Sequence, residues 1–265
     1  FEKSCLWQHT RGGRSNENGK RIDRRFVNPM LEFNGKEKDF TSGEYGPQLC
    51  TDFVCDFIDE NKKRPFLVYY PMILTHCPFD PTPHSEDWDP TDPGSKTYKG
   101  NAKYFGDMVS YMDYSIGRIV KQLDKLKLRE NTLILFTGDN GTDQPVVSMM
   151  DNIAVEGGKG STTDYGTHVP LIANWKGKIK PNQNSKSLVD FSDFFPTLCE
   201  VAGVSLDTDL DLDGVSFYSD LLAKEGRKKE WIHTWYNRDG GSNPKEQSQE
   251  WVRNETYKLY VGNRF

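Results

Sequence analysis

The sequence predicts an α/β protein in which a mostly parallel sheet is flanked by helices, with a small antiparallel sheet at the carboxyl-terminal end. Three observations lead there. Two short, continuous apolar runs, Phe66 to Tyr70 and Thr132 to Phe136, read as fully buried strands. Between them Tyr104, Met108, Tyr111, Met112, Ile116, Ile119, Leu123 and Leu126 recur at helical spacing, so strand, helix and strand form a parallel crossover. From residue 226 onward the pattern changes, and Trp231, Trp235, Tyr236, Trp251, Tyr257 and Tyr260 alternate with polar residues around Gly240-Gly241.

In chain order, residues 1 to 45 alternate little and read as irregular, with a short strand at Arg25 to Val27. Leu49, Cys50, Phe53, Val54, Phe57 and Ile58 place an amphipathic helix over 47 to 61, ended before Pro65. A proline-rich loop spans 71 to 97, and the long helix occupies roughly 100 to 128. A third apolar run covers Val169 to Trp175, and Leu188 to Phe191 gives another short strand. Ser192 or Asp193 caps a helix that runs to Val201, with Pro196 in its first turn and Gly203 closing it. This divides the chain into an α/β body, 1 to 225, and an antiparallel subdomain, 226 to 265.

A formal net charge of -5, with 34 basic residues interspersed among 39 acidic ones, provides no basic field for nucleic acid. No stretch approaches the ~20 apolar residues of a membrane span, and the first residues carry no apolar signal core. Five scattered cysteines without a C-x-x-C pair indicate neither a zinc knuckle nor a disulfide scaffold, and read mostly as buried thiols.

Ligands of open parallel sheets sit beyond the carboxyl ends of the strands. His76, Asp139, Asn140 and Lys159 fall there. A carboxylate and an amide carbonyl are hard donors suited to Ca²⁺ or Mg²⁺, and a lysine among glycines is a point charge that an oxyanion can approach closely. Each also has a plainer reading: Asp139-Asn140-Gly141 as a turn, Lys159 as solvated surface, His76 as a structural hydrogen-bonding group. Their shared location favours an anion site with a metal.

Five blocks in order, "RPFLVYYPMILTHCPF", "LRENTLILFTGDNG", "GGKGSTTDYGTHVPLIANWKGKI", "LVDFSDFFPTLCEVAGV" and "LDGVSF", resemble the type I sulfatases of the alkaline phosphatase superfamily. The resemblance implies part of that family's α/β fold and hydrolysis of aryl or carbohydrate sulfate esters by a calcium-assisted formylglycine mechanism. By it, Asp139 and Asn140 match two calcium ligands, Lys159 the sulfate-binding lysine, and His76 the histidine that contacts the ester and protonates the leaving oxygen. It also implies a periplasmic or secreted setting.

The family's C/S-x-P-x-R nucleophile segment, its paired aspartates and its Lys-Trp-His block are absent from the sequence. The expectation is therefore the carboxyl-terminal portion of a longer sulfatase, inactive alone and prone to self-association through apolar faces left without partners. Two rivals are a phosphodiesterase or phosphonate hydrolase of the same superfamily, and a sulfated-glycan-binding module without chemistry. Against the first, a transition-metal site would place a histidine where Asn140 stands. "DLDLDGVSFYSD" fits only the front of an EF-hand loop and reads better as an acidic surface loop, while "GGKGST" fails as a phosphate loop because Gly160 follows the lysine.

Overall fold

The computed structural model describes residues 1–7, 13–15, 21–207, 209–227, 229–237 and 248–261, and the chain divides into two compact units. The first comprises Phe1–Arg129 and Asp143–Gly157, the second Glu130–Thr142 and Gly158–Phe265.

In the first unit, β1 (Cys5–Trp7), β4 (Met30–Phe33) and β5 (Lys36–Asp39) form an antiparallel sheet in that spatial order, and β2 (Gly13–Ser15) pairs antiparallel with β3 (Arg21–Asp23). The β4–β5 connection is a two-residue Asn34-Gly35 turn, closed by the Phe33–Lys36 pair, with φ of 51° and 81° as such a mirror-type turn requires. Residues 1 to 45 are thus richer in strands than the sequence predicts. Their strands are short, and β5 is exposed along its whole length, so no apolar alternation marks it. At the predicted strand 25–27 there is only an isolated bridge between Val27 and Tyr45.

Helix α1 (Gly46–Glu60) carries Pro47 in its first turn, where a missing N–H costs nothing, and buries Thr51, Val54 and Ile58 at spacings of three and four. Helix α2 (Phe105–Lys125) buries Met108, Tyr111, Ser115 and Leu123 on one face, with Asp107 in its first turn and Lys125 in its last, each complementing the helix dipole. An Arg118–Asp52 ion pair at 2.5 Å joins the two helices. The core of this unit gathers Phe26, Tyr45, Leu74, Cys77, Phe79, Met108, Tyr111 and Val146. Each large apolar side chain there contributes about 1.5–3 kcal/mol relative to exposure. Tyr45 is its centre, edge-on to Tyr111 at 4.9 Å and to Trp88 at 5.4 Å between centroids. A hairpin of β7 (Val147–Met150) and β8 (Ile153–Glu156), turning at Asp151-Asn152, completes the unit.

In the second unit, β6 (Ile134–Thr137) pairs with β9 (Leu171–Asn174), so that Thr137 lies opposite Leu171. Trp175 anchors the far end by donating from its indole to the Glu130 carbonyl at 3.1 Å. The short α3 (Asp164–Thr167) precedes β9, and α4 (Phe194–Val201) follows a 3₁₀ turn at Phe191–Asp193. The cap is Asp190, with Asp193 answering it by accepting the Asp190 N–H; Gly203, at φ 69°, follows the helix end. Strands β10 (Ile232–Tyr236), β11 (Gln249–Arg253) and β12 (Lys258–Tyr260) form the predicted small antiparallel sheet, while Gly240-Gly241 lies outside the described residues.

Two predicted strands are absent. Leu188 to Asp190 takes no regular structure, and Phe191 begins the 3₁₀ turn. Phe66 to Tyr70 joins no ladder among the described residues. Its exposure alternates, with Leu67 at 59% and Tyr69 at 72%, instead of being buried on both faces. The parallel crossover consequently does not form there: all pairs between the named strands are antiparallel, and the parallel pairing among the described residues is the single Phe79–Gly100 bridge. A continuous apolar run meets the requirement of a two-sided buried strand, yet it equally suits a segment with one face on a core and one face open. Of the cysteines, Cys77 is buried and the other four are half-buried.

Candidate active site

Asp139 and Asn140 stand two and three residues past the end of β6, in a bend, with Asp139 exposed and Asn140 half-buried. Lys159, half-buried, lies three residues past the end of β8. Both loops belong to the second unit from Gly158 onward and up to Thr142, and backbone hydrogen bonds tie them together. The Lys159 N–H donates to the Thr142 carbonyl at 2.9 Å, and the Gly141 N–H to the Gly166 carbonyl at 2.9 Å.

Glycine makes this approach possible. A Cβ on Gly141 would lie 1.9 Å from the Tyr165 carbonyl oxygen, one on Gly158 2.5 Å from the Tyr165 Cβ, and one on Gly166 2.1 Å from the Ser161 carbonyl oxygen. The structure therefore brings Asp139, Asn140 and Lys159 into one loop cluster, at the end where β6 leaves and β9 enters the two-stranded sheet. The cluster carries one carboxylate, one amide and one ammonium.

The loop after Lys159 is braced from the carboxyl-terminal sheet. The Thr162 carbonyl accepts from Lys258 Nζ and, at 3.0 Å, from the Tyr260 hydroxyl, while the Thr162 hydroxyl donates to Gln249 Oε1 at 2.7 Å. Arg253 pairs with Asp164 at 3.2 Å. Lys258 Nζ also lies 3.9 Å from the centroid of the buried Trp251 ring. Core packing accounts for Trp251. It does not account for Trp231, Trp235 and Tyr257, which are more than half exposed. His168 is exposed and donates its backbone N–H to Asp164 O.

His76 belongs to the first unit and is half-buried in the loop after residue 70. Its Nδ1 lies 2.6 Å from the Cys77 carbonyl oxygen and also contacts Arg25 Nη1. Arg25, 7% exposed, donates to that same carbonyl, has Asp23 3.3 Å from Nη2, and holds its guanidinium 4.7 Å from the Trp7 ring centroid. Nearby Lys99 pairs with Asp143 at 2.5 Å. Burial alone would raise the Asp143 carboxyl, but the Lys99 hydrogen bond and charge outweigh it and hold the group below its usual range.

Sequence reasoning did not single out Arg25 or Asp80. Arg25 offered no motif. Asp80 lies in the proline-rich loop, and burial, with the charges of Asp92 and Asp23, pushes its pKa up to about 6 against the Ser95 hydroxyl.

The family model described as Sulfatase matches residues 9–204, and that for the carboxyl-terminal part of N-sulphoglucosamine sulphohydrolase matches 161–262. The chain belongs to the sulfatase family. It is 34% identical over 214 residues to the uncharacterized sulfatase YdeN of Escherichia coli K12, an alignment covering 79% of this chain and 37% of that protein. It is 29% identical over 194 residues to an N-acetylgalactosamine-6-O-sulfatase of Bacteroides thetaiotaomicron, covering 69% of this chain and 36% of that one. Among solved structures, that of Ps i-CgsB with k-i-k-neocarrahexaose superposes with a TM-score of 0.67 at 25% identity, over 87% of this chain and 49% of the other. The chain thus spans little more than a third of the length of these curated relatives. Its α/β fold is that of the sulfatases, and no helix among the described residues is long and apolar enough to cross a membrane.

Proposed function

We propose that this chain is the carboxyl-terminal part of a secreted or periplasmic sulfatase that hydrolyses aryl or carbohydrate sulfate esters. The observation that carries the reading is the Lys159 N–H to Thr142 O hydrogen bond, which holds the ammonium-bearing loop against the loop of Asp139 and Asn140. An ammonium beside hard oxygen donors suits a sulfate held partly by a divalent cation and partly by the protein.

Calcium takes six to eight oxygens, and Asp139 with Asn140 offers about three. Among the described residues no three His, Cys, Asp or Glu side chains gather. The donor types fit, and the pair serves as one portion of a set whose other members lie elsewhere in the longer protein. When bound, the ion would act as a Lewis acid on the ester and the formylglycine nucleophile. Lys159 offsets charge on the sulfate oxygens as the sulfur–oxygen bond breaks, and His76 delivers a proton to the departing alcohol. No segment of the sequence matches C/S-x-P-x-R, so the isolated chain is expected to be inactive.

The test is a paired assay of the full-length enzyme with an aryl sulfate and the matching aryl phosphate, wild type against Lys159→Ala. The reading expects faster sulfate turnover and a loss on the order of 10²–10³ in kcat for the variant. Faster phosphate turnover would place the protein with the phosphodiesterases. The exposed Trp231, Trp235 and Tyr257 favour a second reading, a sulfated-glycan-binding surface on this chain. Titration of the chain with a sulfated oligosaccharide decides it: binding that ignores Lys159→Ala and Trp235→Ala removes that reading.

A further inference from the structure

Cys5 and Cys50 are 45 residues apart in sequence, yet their sulfurs lie 3.8 Å from each other. Both sit on ordered elements. Cys5 opens β1 and is paired with Phe33 of β4, and the preceding Ser4 is clamped to Asn34 by two hydrogen bonds, 2.8 and 2.9 Å long. Cys50 lies in the second turn of α1, next to the buried Thr51. The two thiols line one side of an apolar cleft of about 570 Å³, together with Leu31, Phe53, Val54 and Tyr70.

We propose that Cys5 and Cys50 are a covalent cross-linking site that closes to a disulfide between β1 and α1. A bonded pair needs its sulfurs about 2.05 Å apart, and the remaining gap is smaller than the swing of a sulfur between two staggered rotamers. Cys55, five residues beyond Cys50, points about 140° around the helix and cannot substitute for it. Cys77 is buried in the core cluster, and Cys199 belongs to the other unit.

The chemistry is thiol–disulfide exchange with a small external disulfide such as oxidised glutathione. The hydrogen bond with Cys50 lowers the Cys5 thiol from its usual value, while that contact and burial push Cys50 up, so Cys5 is the attacking thiolate. It displaces one glutathione thiolate and forms a mixed disulfide. Cys50 then gives up its proton and attacks the Cys5 sulfur, which releases the second glutathione. Two electrons pass from the protein dithiol to the external disulfide, which leaves as two thiols.

The purified chain, treated with oxidised glutathione or with dithiothreitol, is denatured, alkylated and mapped by mass. The expected result is that the oxidised sample carries two fewer alkyl groups than the reduced one and yields a peptide joining Cys5 to Cys50. Its Tm should rise by several degrees, because the link restricts the unfolded chain. Cys50→Ser should arrest the reaction as a glutathione adduct on Cys5, and Cys55→Ser should leave the link intact. An unchanged alkylation count, a link from Cys50 to Cys55, or wild-type protein that stops at the Cys5 adduct would overturn the proposal. The wild-type map decides alone if the Cys50 variant does not fold.

Discussion

Arg25 and His76 meet over one carbonyl: Arg25 Nη1 donates to the Cys77 oxygen and contacts His76 Nδ1, which itself lies 2.6 Å from that oxygen. The guanidinium can only donate to Nδ1 and the carbonyl can only accept from it, so the two contacts favour opposite tautomers of a neutral ring, and Arg25 shifts the balance toward the one protonated on Nε2. Arg25→Gln should let Nδ1 donate to Cys77 and shift the proton to that nitrogen. Ring ¹⁵N shifts from a long-range NMR correlation report the tautomer directly. The same tautomer in wild type and variant would refute the positioning role.

Gly141→Ala should loosen the cluster of Asp139, Asn140 and Lys159, since the new methyl would meet the Tyr165 carbonyl at 1.9 Å. Overpacking of this kind costs about 1–3 kcal/mol. Gly117→Ala, in the middle of α2 with nothing within 4 Å, should instead stabilise by about 0.5–1 kcal/mol. Urea unfolding of the two variants tests for opposite signs, and equal effects would show that the close approach is unimportant.

Asp80 makes stability depend on pH. Its pKa is 3.8 when free and about 6 in the fold, so the fold prefers its neutral form. The associated stability is fully present below pH 3.8 and is lost as pH rises through about 6. Asp80→Asn should therefore raise stability above that window, on the order of 1–2 kcal/mol after allowance for partial exposure, and change little below it. Thermal melts across the window measure this, and parallel wild-type and variant profiles would contradict it.

Asp193 is fully buried between two cations, Arg227 and Lys229, each 2.7 Å away, and it accepts the backbone N–H groups of Asp190 and Val215. Asp193→Ala would strand a buried guanidinium, at a cost of about 3–5 kcal/mol. Denaturant midpoints give the value directly. A loss below about 1 kcal/mol would mean that the neighbouring Asp190 and Asp220 neutralise both cations unaided.

The β7–β8 hairpin turns Val147, Met149, Met150 and Ile153 outward, all more than half exposed. The pleat puts Val147 and Met149 on one face of this ribbon and Met150 and Ile153 on the other, and exposed apolar surface promotes association. Light scattering should show mass rising with concentration, and Met149→Lys with Ile153→Lys should suppress the rise. A monomer at all concentrations would remove this hairpin from consideration.

The long helices, 15 and 21 residues, were legible in the sequence because apolar periodicity over successive turns leaves little choice of period. Short strands were not. The Asn34-Gly35 hairpin was announced only by its turn residues, since β5, Lys36–Asp39, presents charge on both sides. The run at 66–70 misled through its continuity, as composition cannot tell a strand covered on both faces from one covered on a single face. Asp139, Asn140 and Lys159 were legible as residue types beside glycines. What holds their loops was not, because the Lys258 and Tyr260 contacts with Thr162 span 96 and 98 residues.

Those two contacts make the carboxyl-terminal strand a remote brace of the Lys159 loop. A proteolytic nick or an inherited change near residue 258 would slacken the turn three positions past Lys159 while leaving every charged group of that loop intact. Two chains whose loops read letter for letter the same would then hold Lys159 with different firmness.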